Sequence, residues 1–390
     1  MSSPWRVLDG ARCAWFDTDS FQQGAALARA GLAAAVDAAA PDFDLRARGL
    51  QVRLPGGPDH VQPLADAIEG AAAGLTADPA RLRRWGVGLR SPSPQWLAPF
   101  WHEAFGYPGG DTQLRDPIRR APSLTIRSGE VGDTRNRLHL DLSRPDGLPD
   151  ADRAAALGGR FLGGTYGLLF ADADGNEADL IPGDVLAEGD ANADWQAFFT
   201  GAVWYPTTDR AAVGELVEQV AALADAAGLP LAIDVRAEGV AFDSGKDLWE
   251  GAGFAELAAG IQRAARALGQ VADAAPLRFV QIGIDAVDSA QLIDFWATLL
   301  GYRADPREGL TEVFDPAMIG PPIMFQTLAP DDHTKRDRPD RFRLELQVTP
   351  DAVPGLLERS AGGTVVQHSQ TEWTVTDPEG NQVGLTLHRS

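Results

Sequence analysis

His139 and Asp141 stand two residues apart in the run Leu138 to Leu142. In an extended strand both leave one face, and Leu138, Leu140 and Leu142 leave the other. An imidazole titrates near neutrality, so beside a carboxylate it can take up a proton at one atom and return it at another. Glu345 and Gln347 repeat the arrangement against Leu344, Leu346 and Val348. A Glu shut away from water at such a place has a raised pKa and can serve as a base. Trp101 and Trp296 offer flat aromatic surface of the kind that walls a small-molecule cavity, although anchoring a helix in the core is the commoner use. Polar strand faces of this kind also fit a wet cavity wall that carries no chemistry.

Other chemistry is not spelled out. The chain has no Gly-rich phosphate loop, no His-Glu-x-x-His and no nucleophile motif. His102, His333, His368 and His388 stand singly and are expected to face solvent. The run Asp331 to Arg343, with Lys335, Arg336, Arg338, Arg341 and Arg343, is a basic patch in an acidic chain, either a solvated loop or a flap that admits an anionic ligand.

The elements that must position these residues occur twice. Phe100-Trp101 to Gly106-Tyr107 returns as Phe295-Trp296 to Gly301-Tyr302. Arg135 to Leu140 returns as Arg341 to Leu346, which equates His139 with Glu345. Asp172 to Asn176 returns as Asp377 to Asn381, and Asp44 to Leu50 as Asp234 to Val240. Four matches in order, each roughly 200 residues apart, mark a tandem duplication rather than a solenoid. Asp-x-x-Gly-Asn reads as a hairpin turn, with Gly supplying positive φ. Phe-Trp-x-x-x-x-Gly-Tyr reads as a helix anchored by its aromatics and ended by Gly.

Within each copy, a first segment reads helix, extended pair, helix: Ser20–Ala39, the strands around Gly49 and Leu64–Gly74, then Ala211–Gly228, Leu231–Phe242 and Phe254–Leu268. The second segment reads β-α-β-β-β twice. In the later copy the strand Phe279–Asp285, the helix Ser289–Leu300 and short strands precede the strand Leu344–Val348 and a second such cycle. The boundaries fall at 1–80, 81–184, 195–270 and 276–390, with Ala-, Asp- and Gly-rich linkers.

Of 390 residues, 44% are hydrophobic and 23% charged, so each segment can bury a core. The net charge of −21 repels phosphate backbones, which argues against nucleic acid or an anionic membrane as partner. With Cys13 the single cysteine and no signal pattern at the N-terminus, the expected setting is cytoplasmic and free of disulfides.

The three motifs in that order, on a paired β-α-β-β-β reading, resemble the glyoxalase-like branch of the vicinal oxygen chelate superfamily over 81–184 and 276–390. The resemblance implies an α+β fold whose paired βαβββ modules form open cup-shaped sheets, with smaller α+β domains and an internal pseudo-twofold. Segments 1–80 and 195–270 resemble a degenerate pterin-4a-carbinolamine dehydratase. The histidines that dehydration needs are missing, because 195–270 holds no His and 1–80 only His60, so these segments are expected to act as scaffolds or lids.

Family members that use a metal take one ligand from each of four strands. The resemblance puts those positions at Gln281, Gln326, Glu345 and Gly384 in one copy and at Gly86, Arg127, His139 and Asp179 in the other. Both sets depart from a four-ligand pattern, and Arg127 brings a positive charge to the place of a cation. The expectation is therefore no cofactor; a divalent metal would rest on Gln281, Gln326 and Glu345. The function implied is that of a small-molecule enzyme, as in secondary metabolism, doing lyase, isomerase or cyclase chemistry by metal-independent proton transfer. His139 with Asp179 or Asp141 would act in one cup, and Glu345 with Gln281 in the other. Trp101, Arg127, Trp296, Gln326 and Gln347 would contact the ligand. The alternative is a non-catalytic protein that sequesters an antibiotic or metabolite. A monomer with pseudo-dimeric halves or a homodimer is expected.

Overall fold

The computed structural model describes residues 3–35, 40–130, 136–145, 147–163, 168–186, 189–329, 331–332, 335 and 341–388. The chain divides into two compact units, residues 1–83 with 183–277 and residues 84–182 with 278–389. Among the described residues no helix is long and apolar enough to cross a membrane.

The first unit is a nine-stranded sheet on which the helices Phe21–Ala34, Pro58–Ala71, Arg210–Ala227 and Phe254–Ala267 share a core with Phe43, Leu45, Val52, Ile233, Val235 and Phe242. At its centre the strands Asp42–Arg46 and Ala232–Arg236 run antiparallel, with Asp44 opposite Asp234. The duplicated Asp-x-Arg triplets thus meet each other. Arg46 Nη1 lies 2.7 Å from Asp234 Oδ1, and Arg236 Nη2 lies 2.6 Å from Asp44 Oδ1. The first helix starts where its sequence signals it, with the Ser20 side chain accepting from Gln23 N, and closes at Ala34; residues 36–39 lie outside the described residues. The second starts at Pro58, six residues before the expected Leu64, because proline at the first turn loses no hydrogen bond. The strands Ala11–Phe16 and Thr200–Pro206, which precede the helices and extend the sheet, were not anticipated.

The second unit holds two sheets, and each is assembled from both copies. The eight-stranded sheet runs in the order Arg303–Ala304, Glu312–Phe314, Ile323–Thr327, Phe279–Ala286, Leu138–Arg144, Glu177–Pro182, Leu169–Ala171, Arg160–Gly163. The seven-stranded sheet runs Thr364–Ser369, Glu372–Thr376, Gln382–Leu387, Phe342–Val348, Arg83–Ser91, Ser123–Ser128, Gln113–Leu114. The junction of the larger sheet is the antiparallel pair Phe279–Ala286 with Leu138–Arg144, in which Gly283 faces His139 and Gln281 faces Asp141. The leading module of the later copy therefore joins the trailing module of the earlier one. Leu138, Leu140, Val280, Ile282 and Ile284 turn to the core with the helices Pro94–Phe105 and Ser289–Leu300. His139, Asp141, Gln281 and Gly283 are left on the other face.

Candidate functional site

The exchange regroups the candidate residues. Gln281, expected beside Glu345, lies with His139, Asp141 and Asp179 on the larger sheet. Glu345 lies on the smaller sheet with Arg127, which was expected beside His139. Gln281, Asp141 and Asp179 form one row across three adjacent strands. His139 stands two residues along from Asp141, opposite Gly283. A Cβ on Gly283 would fall 2.1 Å from the His139 ring, so the missing side chain is what lets the imidazole lie across that strand. The ring then reaches Gln326, with Nε2 3.4 Å from the amide nitrogen, and Asp141 Oδ1, also at 3.4 Å.

The site is shut at one side and open at the other. The His139 and Asp141 side chains are only 5% and 6% exposed, and Gln281 is fully buried, whereas Asp179 is half-buried and Gln326 exposed. Burial pushes the Asp179 carboxyl above the usual carboxylate range. The His139 ring draws it back, Glu177 pushes it further and Lys335 lowers it. Lys335, from the basic run, contacts Asp285 Oδ2 closely and lies 3.5 Å from Glu177 Oε2. Gly283, Asp285 and Glu177 join the site although none stood among the candidate residues, and Lys335 comes to it as an ion-pair partner of Asp285. A lone glycine inside a strand was the one available signal, since it marks a close approach. Arg336, Arg338 and His333 lie outside the described residues.

His139, Asp141 and Asp179 each offer a ligand atom, all within 4.8 Å of one another. Gln281 Oε1 is buried with no hydrogen-bond partner among the described residues. One nitrogen and two carboxylate oxygens suit a borderline divalent cation, so the His139, Asp141 and Asp179 triad fits a metal. Gln281, Gln326 and Glu345, the set drawn from the resemblance, does not come together as a group.

The smaller sheet is different in kind. Arg127 binds both Glu345 oxygens, Oε2 at 2.9 Å, and Arg343 Nη2 lies 3.5 Å from Oε1. The guanidiniums occupy the place of a cation, and no metal fits there. Gln347 lies on the same half-exposed face of its strand as Glu345.

The structure also corrects the alignment of the copies. Asp285 N donates to Arg137 O, and at the equivalent place Arg90 N donates to Arg341 O. Asp141 is in register with Asp179 and Glu345 with Gly384. Glu345 is thus the counterpart of Asp141, and Arg343 that of His139. A slip of two residues keeps every side chain on its face, so the alternating pattern could not reveal it.

Trp101 and Trp296 do not wall a cavity. Both are buried in the core, where each indole nitrogen donates over 2.9 Å, Trp101 to Asp172 Oδ2 and Trp296 to Asp377 Oδ2. The Asp-x-x-Gly-Asn turns form as expected, with Gly175 at φ +83° and Gly380 at φ +100°, and their aspartates also hold the tryptophans. His102 is buried rather than solvent-facing, its ring nitrogens 3.1 Å from Tyr107 O and 2.9 Å from Asp111 O.

Among solved structures, glyoxalase I from Zea mays is similar at 9% identity and a TM-score of 0.35, covering 78% of this chain and 92% of that one. TioX from Micromonospora sp. ML1 is similar at 19% identity and a TM-score of 0.21, over 28% of this chain and 97% of that one. The cppA protein from Streptococcus pneumoniae TIGR4 is similar at 9% identity and a TM-score of 0.32, over 78% and 98%. Comparison with curated protein sequences gives no match. These matches lend no support to the dehydratase-like resemblance of 1–80 and 195–270. The model of the glyoxalase-like domain matches residues 86–181 and 281–386, just over half of the chain, and the chain belongs to that family in tandem duplicate.

Proposed function

We propose that the second unit binds a small molecule on the polar face of the eight-stranded sheet and moves a proton on it, in lyase or isomerase chemistry. His139 is the proton carrier, Asp179 the second acid-base group, and Gln281 and Gln326 orient the ligand. The observation that carries this reading is the grouping of His139, Asp141 and Asp179, closed in on one side and reachable past Asp179 and Gln326. A half-buried carboxyl whose pKa burial raises, set beside an imidazole, gives the site two groups between which a proton can pass. Glu345, held by two guanidiniums, is not assigned the role of base in this reading.

A second reading rests on the partnerless Gln281 Oε1. His139, Asp141, Asp179 and Gln281 would hold a divalent cation, which when bound supplies polarisation of a ligand oxygen. A sequestering protein with no turnover is the remaining alternative.

The test is solvent-deuterium exchange at carbon next to a carbonyl, followed by proton NMR in D2O over a panel of small keto and hydroxy-keto acids. The expected result is exchange by the wild type that falls about 10²- to 10⁴-fold in His139→Ala, the usual worth of a general acid-base group. Exchange unchanged in His139→Ala would sink the assignment. Ligand that binds and returns without exchange would favour sequestration, and exchange restored to a chelated sample by Co²⁺ would favour the cation.

A further inference from the structure

The duplication lets the two polar faces be compared position by position. With the register set by the backbone hydrogen bonds at Arg137 and Arg341, Gln281 corresponds to Gly86, Asp285 to Arg90 and Gln326 to Arg127. On the partner strands His139 corresponds to Arg343, Asp141 to Glu345 and Asp179 to Gly384. Three carboxylates in one set are replaced by three arginines and a single glutamate in the other. The sign of the face has been inverted within a chain of net charge −21.

The smaller sheet is also barer at this face. Two of the six positions are glycine here, and Gly88, the counterpart of Gly283, lies between the first of them and Arg90. A Cβ at Gly88 would fall 2.5 Å from Glu345 Oε1 and 2.9 Å from Arg127 Nη1. A Cβ at Gly384 would fall 2.9 Å from the Arg343 guanidinium carbon. The Arg343 guanidinium and the contact of Arg127 with Glu345 therefore lie against bare backbone. Unlike His139 and Asp141, the groups here meet solvent, the side chains of Arg127, Arg343 and Glu345 being 51%, 24% and 20% exposed. Arg90 is in register with Arg127 on the neighbouring strand, so a third guanidinium belongs to this face.

We propose that this face is a second binding site, which takes the oxyanion group of a small metabolite, a carboxylate or a phosphate monoester, between Arg127 and Arg343. Guanidinium forks match the planar or tetrahedral oxyanion with paired N–H donors. Glu345 is the internal counter-ion: it holds the two forks in place when the site is empty, and the entering anion displaces it. The site differs in charge from the His139 face, so its ligand, or the end of the ligand it grips, is of a different kind.

The test is isothermal titration of the full chain with inorganic phosphate and, separately, with succinate in low-salt buffer, where screening is weak. The expected result is saturable binding of at least one, weakened ~10-fold or more by Arg127→Gln and by Arg343→Gln, as for loss of a charge-assisted contact. Glu345→Gln is expected to tighten binding ~10-fold, because a like charge leaves the site. Arg303→Gln, an exposed arginine on the other sheet, is the control and is expected to change nothing. Preference for phosphate or for succinate identifies the ligand class. The proposal is overturned if neither anion binds saturably, if Glu345→Gln weakens binding, or if Arg303→Gln costs as much as Arg127→Gln. The gain in Glu345→Gln keeps the test decisive even where an arginine variant folds poorly.

Discussion

At the scale of single residues, the proposed chemistry uses a carboxyl that the fold holds at a cost. Asp179 has its pKa raised by burial, with His139 and Lys335 offsetting part of that and Glu177 adding to it. A carboxyl raised in the folded state favours folding where it is protonated and opposes it where it is ionised. The contribution is fully present below the unfolded carboxylate pKa and is lost as pH rises through the folded value. Asp179→Asn removes the ionised group, so it should raise Tm at pH 7, and the gain should shrink as pH falls toward 4. Melting curves across that range check this, and a Tm lowered at pH 7 would contradict it. Stabilisation by removal of a site residue is a common mark of function held against stability. The sequence made part of this legible. The alternation around His139 and Glu345 placed both on polar strand faces, and the structure puts them there. What it hid was the partner of each. A two-residue slip leaves the alternation intact, so His139 was equated with Glu345 when its counterpart is Arg343. Lys335 meets Asp285 from fifty residues away in sequence, and no local pattern announces that.

At the scale of elements, two motifs that read separately as a helix anchor and a turn prove to be the two ends of one contact. Trp101 on the helix Pro94–Phe105 donates to Asp172 in the turn, 71 residues on, and Trp296 on Ser289–Leu300 donates to Asp377, 81 residues on. Asp172 also accepts from Asn176, through both its backbone and its side chain. Burial raises the Asp172 pKa although Asn176 and Trp101 both donate to it. The helix of each copy packs with the strand of one sheet, while the aspartate belongs to a hairpin of the other. Each bond therefore ties the two sheets together. Trp101→Phe keeps the aromatic bulk and deletes the donor to a buried carboxyl. It should cost about 1–3 kcal/mol in chemical denaturation with no change at the His139 face. A cost near zero would mean that the bond does not join the sheets. The motifs were visible because duplication repeats them, but their contact was not, because sequence spacing alone does not bring a helix to a distant turn.

At the scale of the whole molecule, duplication has left two copies whose polar faces now carry different residues. The repeat was legible in four motif matches, and the first unit shows its simplest result, a near-symmetric seam where Asp44 and Arg46 meet Asp234 and Arg236. In the second unit the copies exchange modules, so both sheets are mixed and the two faces have since diverged in charge. Repeats along a chain cannot tell whether a module pairs with its own neighbour or with its duplicate. That is why the sequence placed Gln281 with Glu345 and the fold places it with Asp141. The central claim is that the working face is built across copies, with His139, Asp141 and Asp179 from one and the Gly283 clearance from the other. The most direct measurement is the deuterium-exchange rate of Gly283→Val against wild type, with circular dichroism to confirm the fold. A side chain at 283 would fall on the His139 ring. The account predicts a loss of about 10²-fold or more in a folded protein, the scale set by a misplaced acid-base group. A folded Gly283→Val that exchanges at the wild-type rate would contradict it and place the chemistry elsewhere.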